Sequence, residues 1–144
     1  MYIWTDGACS HNPGPGGWAF IAETGDSDSG YEVETTNQRM EMMALYNALH
    51  YSEKLPMEKI TILTDSAYCC NCYKSKWYVK WEKNGWQNAK KEPVKNRDLW
   101  EKIIPYFKND RYSIEKVKGH ADDFMNNEVD RLAVAARIRG EKCL

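Results

Sequence analysis

At 144 residues, 42% hydrophobic and 28% charged, the chain suits one domain with one core, and disorder along its whole length is excluded. A net charge of −1 argues against a uniformly basic nucleic-acid binder, and no stretch is long and apolar enough to span a membrane. The five cysteines are odd in number, and Cys69, Cys70 and Cys72 crowd together without a second cluster to complete a zinc site. They read as reduced, partly buried thiols of a cytoplasmic protein; Asp6 interrupts any apolar run that could serve as a secretion signal.

In chain order, Tyr2-Ile3-Trp4-Thr5 reads as a strand ending at Asp6-Gly7. Ser10 to Gly17 is rich in Gly, Pro and Asn and reads as a loop. Trp18 to Ala22 is a second strand, Thr24 to Gly30 a hairpin loop, and Tyr31 to Thr35 an alternating third strand. Asn37, a good N-cap residue, opens a helix to about Glu53, with Met40, Met43, Ala44, Tyr46, Ala48 and Leu49 at helical spacing. Ile60 to Thr64 is a short apolar run of the buried-strand kind and stops at Asp65. Ser66 caps a helix to about Tyr73, Trp77 to Trp81 is a short helix, and Gly85 to Pro93 a loop. A helix follows from Asn96 to about Phe107, then a weaker strand from Tyr112 to Val117. Asn126 or Asn127 caps a last helix through Arg139, with Gly140 ending it. Three strands, then alternating helices and strands, imply an α/β fold: a mixed sheet with helices on its faces, the first three strands antiparallel.

Charge is unevenly spread. Between Lys74 and Arg97 eight basic residues face only Glu82 and Glu92, a local +6 that leaves −7 for the remainder. Trp77, Trp81 and Trp86 lie within this stretch. A basic patch set against an acidic remainder is expected.

The acids carry the sharper signal. Asp6 and Asp65 each follow an apolar strand run, and ligand sites of open α/β sheets form beyond the carboxyl ends of strands. If the two strands are neighbours, both carboxylates converge. Glu41 shares a helix face with Ala44, Leu45, Ala48 and Leu49, so it lies on or beside the buried side. A buried carboxylate needs a proton or a partner, and a metal ion is one partner. Asp130 sits near the start of the last helix, with Ala133 and Val134 on its side. Taken singly, Asp6 or Asp65 reads equally well as a turn former or cap, and Glu41 as half of an ion pair.

Seven runs in order join these acids: Thr5-Asp6-Gly7-Ala8-Cys9, Asn12 to Trp18, Thr36 to Ala44, Thr64-Asp65-Ser66-Ala67-Tyr68, Pro93 to Trp100, Lys118-Gly119-His120-Ala121, and Asn126 to Ala133. Along nearly its whole length the sequence resembles the ribonuclease H type 1 family, the bacterial single-domain kind with a basic protrusion. The resemblance implies a ribonuclease H-like α/β fold, a five-stranded mixed sheet with helices on both faces. It implies a single catalytic domain over 1–144 with the protrusion at about 74–97. The activity implied is metal-dependent hydrolysis of the RNA strand of RNA–DNA hybrids, leaving 3′-hydroxyl and 5′-phosphate ends.

By motif, the catalytic and metal-holding acids are Asp6, Glu41, Asp65 and Asp130. Asp6 would bridge two Mg²⁺ ions, with Mn²⁺ as a substitute. Asp130 would serve the ion that activates water, and Glu41 and Asp65 the ion on the leaving-group side. His120 would assist proton transfer or product release; His11 and His50 read as loop and helix-face residues. Asn12, Asn37 and Gln38 would contact the minor groove, Thr36 and Asn96 a DNA phosphate, and Trp77 and Trp81 of the protrusion the DNA strand. Asp122 stands where the family often has glycine, and with Asp123 adds two acids near the site. A monomer with an RNA–DNA hybrid as partner is expected, with no membrane role. A ribonuclease H domain of a reverse transcriptase, a catalytically silent hybrid-binding module and a metal-buffering protein are the alternatives.

Overall fold

The structure is a computed structural model that describes residues 1–56, 58–117 and 123–144. Five strands form one mixed sheet: β1 Tyr2–Cys9, β2 Gly14–Ala22, β3 Ser27–Thr35, β4 Ile60–Thr64 and β5 Tyr112–Lys116, in the order β3-β2-β1-β4-β5. β1 to β3 are an antiparallel meander, while β4 runs parallel to both β1 and β5. The helices are α1 Asn37–Ser52, α2 Ala67–Ser75, α3 Trp77–Asn84, α4 Arg97–Phe107 and α5 Phe124–Glu141. The mixed five-stranded sheet with its antiparallel start is the expected architecture.

The sheet separates two apolar layers. Ile3 of β1 and Ile62 of β4 join α1 and α4 in the larger core, with Met40, Leu45, Leu49, Trp100 and Ile103 fully or nearly fully buried. Trp4 and Ala8 of β1 and Ala19 of β2 pack on the other side against Val129 and Ala133 of α5. This follows from the period of two along a strand, which sends successive side chains to opposite faces.

Several expected boundaries move, each for a physical reason. β1 does not stop at Asp6; it pairs with β2 as far as Cys9 opposite Gly16. The glycines read as a loop therefore belong in part to a strand, since β2 starts at Gly14. Their smallness is used for packing: a Cβ on Gly17 would lie 2.3 Å from the Arg137 nitrogen and 2.4 Å from the Ala133 oxygen, so α5 rests directly on the β2 backbone. β3 likewise begins at Ser27, inside the expected hairpin loop. Thr36, not Asn37, caps α1, its side chain accepting from the Arg39 N–H at 3.2 Å. Asn37 instead gives its own N–H to Asn12 Oδ1 at 2.7 Å. Asp123 caps α5 through the Asn126 N–H, and Gly140 lies buried inside that helix instead of ending it. Asp123 is thereby committed to backbone capping. The Cys cluster is more buried than expected, with Cys69, Cys70 and Cys72 all free and buried.

Candidate active site

The β1–β4 ladder sets the first two acids side by side. Its final pair is Trp4 opposite Leu63, and Thr5 Oγ1 donates to the Leu63 carbonyl at 2.8 Å. Two steps further along each strand stand Asp6 and Asp65. Asp6 is buried within the longer β1, whereas Asp65 is exposed just past the end of β4.

Glu41 arrives from α1, and Gly7 is what lets it come close. A Cβ on Gly7 would stand 2.5 Å from both the Glu41 nitrogen and the Met40 carbonyl carbon. Helix backbone thus touches strand backbone. The Gly7 N–H donates to Glu41 Oε1 at 3.1 Å and to Asp6 Oδ1 at 2.9 Å. Thr64 Oγ1 donates to Glu41 Oε2 at 3.5 Å, and the Ser66 N–H donates to Thr64 Oγ1 at 3.1 Å. Sequence reasoning passed over Gly7 and Thr64 as site residues, although both adjoin an acid inside the family-like runs. α5, seated on Gly17, brings the Asp130 carboxyl close enough to Asp6 to raise it, as the Glu41 carboxyl does from α1.

Electrostatics follow from this crowding. Burial, reinforced by the charge of Glu41 and by contacts with Asp130, pushes Asp6 up to about 9. Burial also raises Glu41, to about 7, opposed by its hydrogen bonds to Asp6 and Gly7 and reinforced by the Asp65 charge. Asp6 and Glu41 therefore favour their protonated forms, because burial and neighbouring like charge both disfavour ionisation. The ion pairs among the described residues engage Asp98, Glu53, Glu101, Glu82, Glu128 and Glu141, none of the four. Among the described residues no three His, Cys, Asp or Glu side chains form a ready-made cage for an ion. His120 and Asp122 lie outside the described residues.

A groove of about 810 Å³ runs from the α1 N-terminus to α3 and the segment after it, lined by Gln38, Tyr68, Trp77, Lys80, Trp81 and Lys91 among others. It joins one expected minor-groove contact, Gln38, to two expected strand contacts, Trp77 and Trp81. Trp81 is itself buried, with ring centroids 5.8 Å from Trp100, 5.7 Å from Trp86 and 6.2 Å from Trp77. This aromatic series fastens the basic segment to the core, so Trp81 serves to hold that segment in place. Lys80 and Lys83 of α3 are exposed.

Thr36 and Asn96 both meet Arg39, the first at its backbone N–H and the second at Nη1, 3.1 Å away. Arg39 also forms a two-point pair with Asp98, at 3.0 and 2.8 Å. Sequence reasoning missed Arg39 and Asp98 as well; their meeting across the fold leaves no local spacing signal.

A family model described as RNase H matches residues 1–138. Ribonuclease H of Syntrophomonas wolfei subsp. wolfei is 47% identical over 136 residues, covering 92% of each chain. Ribonuclease H of Thermoanaerobacter sp. (strain X514) is 47% identical over 134 residues, covering 91% of this chain and 85% of its own. Among solved structures, the foamy viral protease–reverse transcriptase in complex with an RNA/DNA hybrid matches with a TM-score of 0.80 at 21% identity, over 96% of this chain and 20% of that one; this likeness speaks to the fold alone. A family model matched over nearly the whole chain and relatives matched over most of their own length agree: the chain belongs to the ribonuclease H family.

Proposed function

We propose that this chain cleaves the RNA strand of RNA–DNA hybrids by metal-assisted hydrolysis, leaving 3′-hydroxyl and 5′-phosphate ends, as one catalytic domain over 1–144 acting as a cytoplasmic monomer. The observation that carries the reading is the buried Asp6–Glu41 pair, in contact with Asp130 and within the field of Asp65, with none of the four acids in an ion pair among the described residues. An oxygen-only, carboxylate-rich donor set suits Mg²⁺, with Mn²⁺ as a substitute.

Asp6, Glu41, Asp65 and Asp130 would hold two such ions with hybrid bound. When bound, divalent ions of this kind acidify a water, polarise the phosphoryl oxygens and stabilise the leaving oxygen. The protein's own residues prepare that chemistry. Gly7 N–H and Thr64 Oγ1 fix the two oxygens of Glu41, so this carboxylate cannot swing away from Asp6. A bound cation would displace the protons that burial and crowding favour on Asp6 and Glu41. Asp130 would serve the ion that activates water, Glu41 and Asp65 the ion on the leaving-group side, and His120 would take part in proton transfer or product release.

Hybrid selection rests on the 2′-hydroxyl, which donates and accepts hydrogen bonds and marks the RNA strand. Asn12, Asn37 and Gln38 at the α1 N-terminus are the minor-groove contacts, with Glu41 beside them. Thr36 and Asn96 receive a DNA phosphate. The basic segment at about 74–97 grips the DNA strand through its lysines, with Trp77 against the sugars, and supplies affinity without base sequence. Relatives named ribonuclease H matched over 85% and 92% of their own length favour this over a reverse-transcriptase domain. The retained quartet of acids opposes a silent binding module.

The test is direct. Labelled RNA–DNA, RNA–RNA, single-stranded RNA and DNA–DNA are incubated with and without Mg²⁺. Cleavage of the RNA strand in the hybrid, only with metal, is the expected result. Metal-independent cleavage, or equal cutting of the other substrates, overturns the proposal.

A further inference from the structure

An asparagine amide can present either its oxygen or its NH₂, and a phosphate oxygen accepts only. For Asn96 to hold a phosphate its NH₂ has to face outward. The fold carries a device that fixes this choice. Arg39 Nη1, a donor with no acceptor capacity, reaches Asn96 Oδ1 at 3.1 Å. The guanidinium is itself clamped in plane by both oxygens of Asp98, at 3.0 and 2.8 Å. That pair holds Asp98 below the usual carboxylate range and Arg39 above its own. Asn96 sits in the left-handed region with φ 61° and makes no side-chain cap to α4, so its amide is free of the ordinary capping duty. It also lies against the Tyr68 hydroxyl, which accepts from Trp100 Nε1 at 3.0 Å.

The same arginine receives Thr36 at its other end. Thr36 Oγ1 accepts from the Arg39 N–H, so the threonine hydroxyl proton is left to donate elsewhere. One residue thus occupies an acceptor oxygen at both N-terminal ends, that of α1 and that of α4, and leaves the donors of Thr36 and Asn96 for other partners.

We propose that Arg39 is a positioning residue: it binds no substrate atom, but by holding the Asn96 carbonyl oxygen it presents the Asn96 NH₂ to a DNA phosphate of the hybrid. This rests on the reading of Thr36 and Asn96 as a phosphate seat. Asp98 is what keeps Arg39 from taking the phosphate itself, because its charge already occupies the guanidinium fork.

A double-mutant cycle tests it with Arg39→Met, Asn96→Ala and the double variant of the full chain. Affinity for a fluorescein-labelled RNA–DNA hybrid is read by anisotropy in EDTA, so that cleavage plays no part. KM and kcat are measured with Mg²⁺. Asn96→Ala is expected to weaken binding roughly tenfold or more, the scale of one hydrogen bond to a charged group. Arg39→Met should lose a similar factor, raise KM more than it lowers kcat, and add nothing in the Asn96→Ala background. A full extra loss in the double variant would mean a direct charge contact or a general structural role, and overturns the proposal. So does wild-type binding by Arg39→Met where Asn96→Ala is weak. If Asn96→Ala binds as wild type, the phosphate seat itself is wrong, a distinct failure. Should Arg39→Met unfold, Arg39→Lys decides: an ammonium lacks the planar fork that meets both Asp98 oxygens and Asn96 Oδ1 together, so affinity should still fall, and undiminished affinity refutes the device.

Discussion

Gly7→Ala is the most informative single perturbation, because the structure gives its size. The new Cβ would lie 2.5 Å from two α1 backbone atoms, whereas ordinary contact starts at 3.4 Å, so helix and strand must separate by about 0.9 Å. Both atoms are main chain, and no side-chain rotation relieves the clash. Overpacking of this kind costs about 1–3 kcal/mol. Retreat of α1 also stretches the 3.1 Å bond from Gly7 N–H to Glu41 Oε1 beyond hydrogen-bonding range. With an m-value of about 2 kcal/mol/M, a loss of ~2 kcal/mol lowers the urea midpoint by about 1 M. Displacing Glu41 by nearly an ångström should slow turnover by about 10²-fold. Unfolding is followed by circular dichroism and cleavage of labelled hybrid at saturating Mg²⁺, well below the midpoint, so that the unfolded fraction is negligible. A variant with wild-type midpoint and rate would refute the view that α1 is docked backbone to backbone to deliver Glu41.

Asp6→Asn and Asp65→Asn should each abolish hybrid cleavage while leaving the circular dichroism spectrum unchanged, and near wild-type turnover in either would defeat the assignment. Folding raises Asp6 from 3.8 to about 9, so its ionised form is disfavoured in the native state. Without metal, stability should therefore fall as pH rises from about 4 towards 9, and Asp6→Asn should flatten that fall; thermal melts in EDTA at pH 5 and pH 8 check the sign. Replacing Lys74, Lys80 and Lys83 together with Ala should weaken hybrid binding and reduce the slope of log K against log salt by about 2–3, since each phosphate left without its lysine is worth ~0.9; an unchanged slope rules out a phosphate-gripping segment. Trp81→Ala should destabilise by about 3–5 kcal/mol as a buried aromatic, whereas half-buried Trp77→Ala should cost affinity more than stability; the reverse order in denaturation and binding assays would overturn the division of labour.

The chain by itself determined the element order, the antiparallel start and the candidate acids, because strand and helix periods and the apolar runs before Asp6 and Asp65 are local properties. The ordered motifs added the family and the expected roles. Other features depend on partners far along the chain. Whether Gly14 to Gly17 turns or extends is decided by α5 lying on it, and β1 runs past Asp6 because β2 is there to pair with it. Asp123 looked like a spare acid and is a helix cap, since only the assembled α5 N-terminus offers it the Asn126 N–H. The clamp of Arg39 on Asn96 and Asp98 joins residues 57 and 59 positions apart, a separation that no local pattern encodes. Sequence fixes which groups can bond and which faces are apolar; tertiary packing decides which of them meet, because burial and hydrogen-bond geometry are properties of the assembled layers.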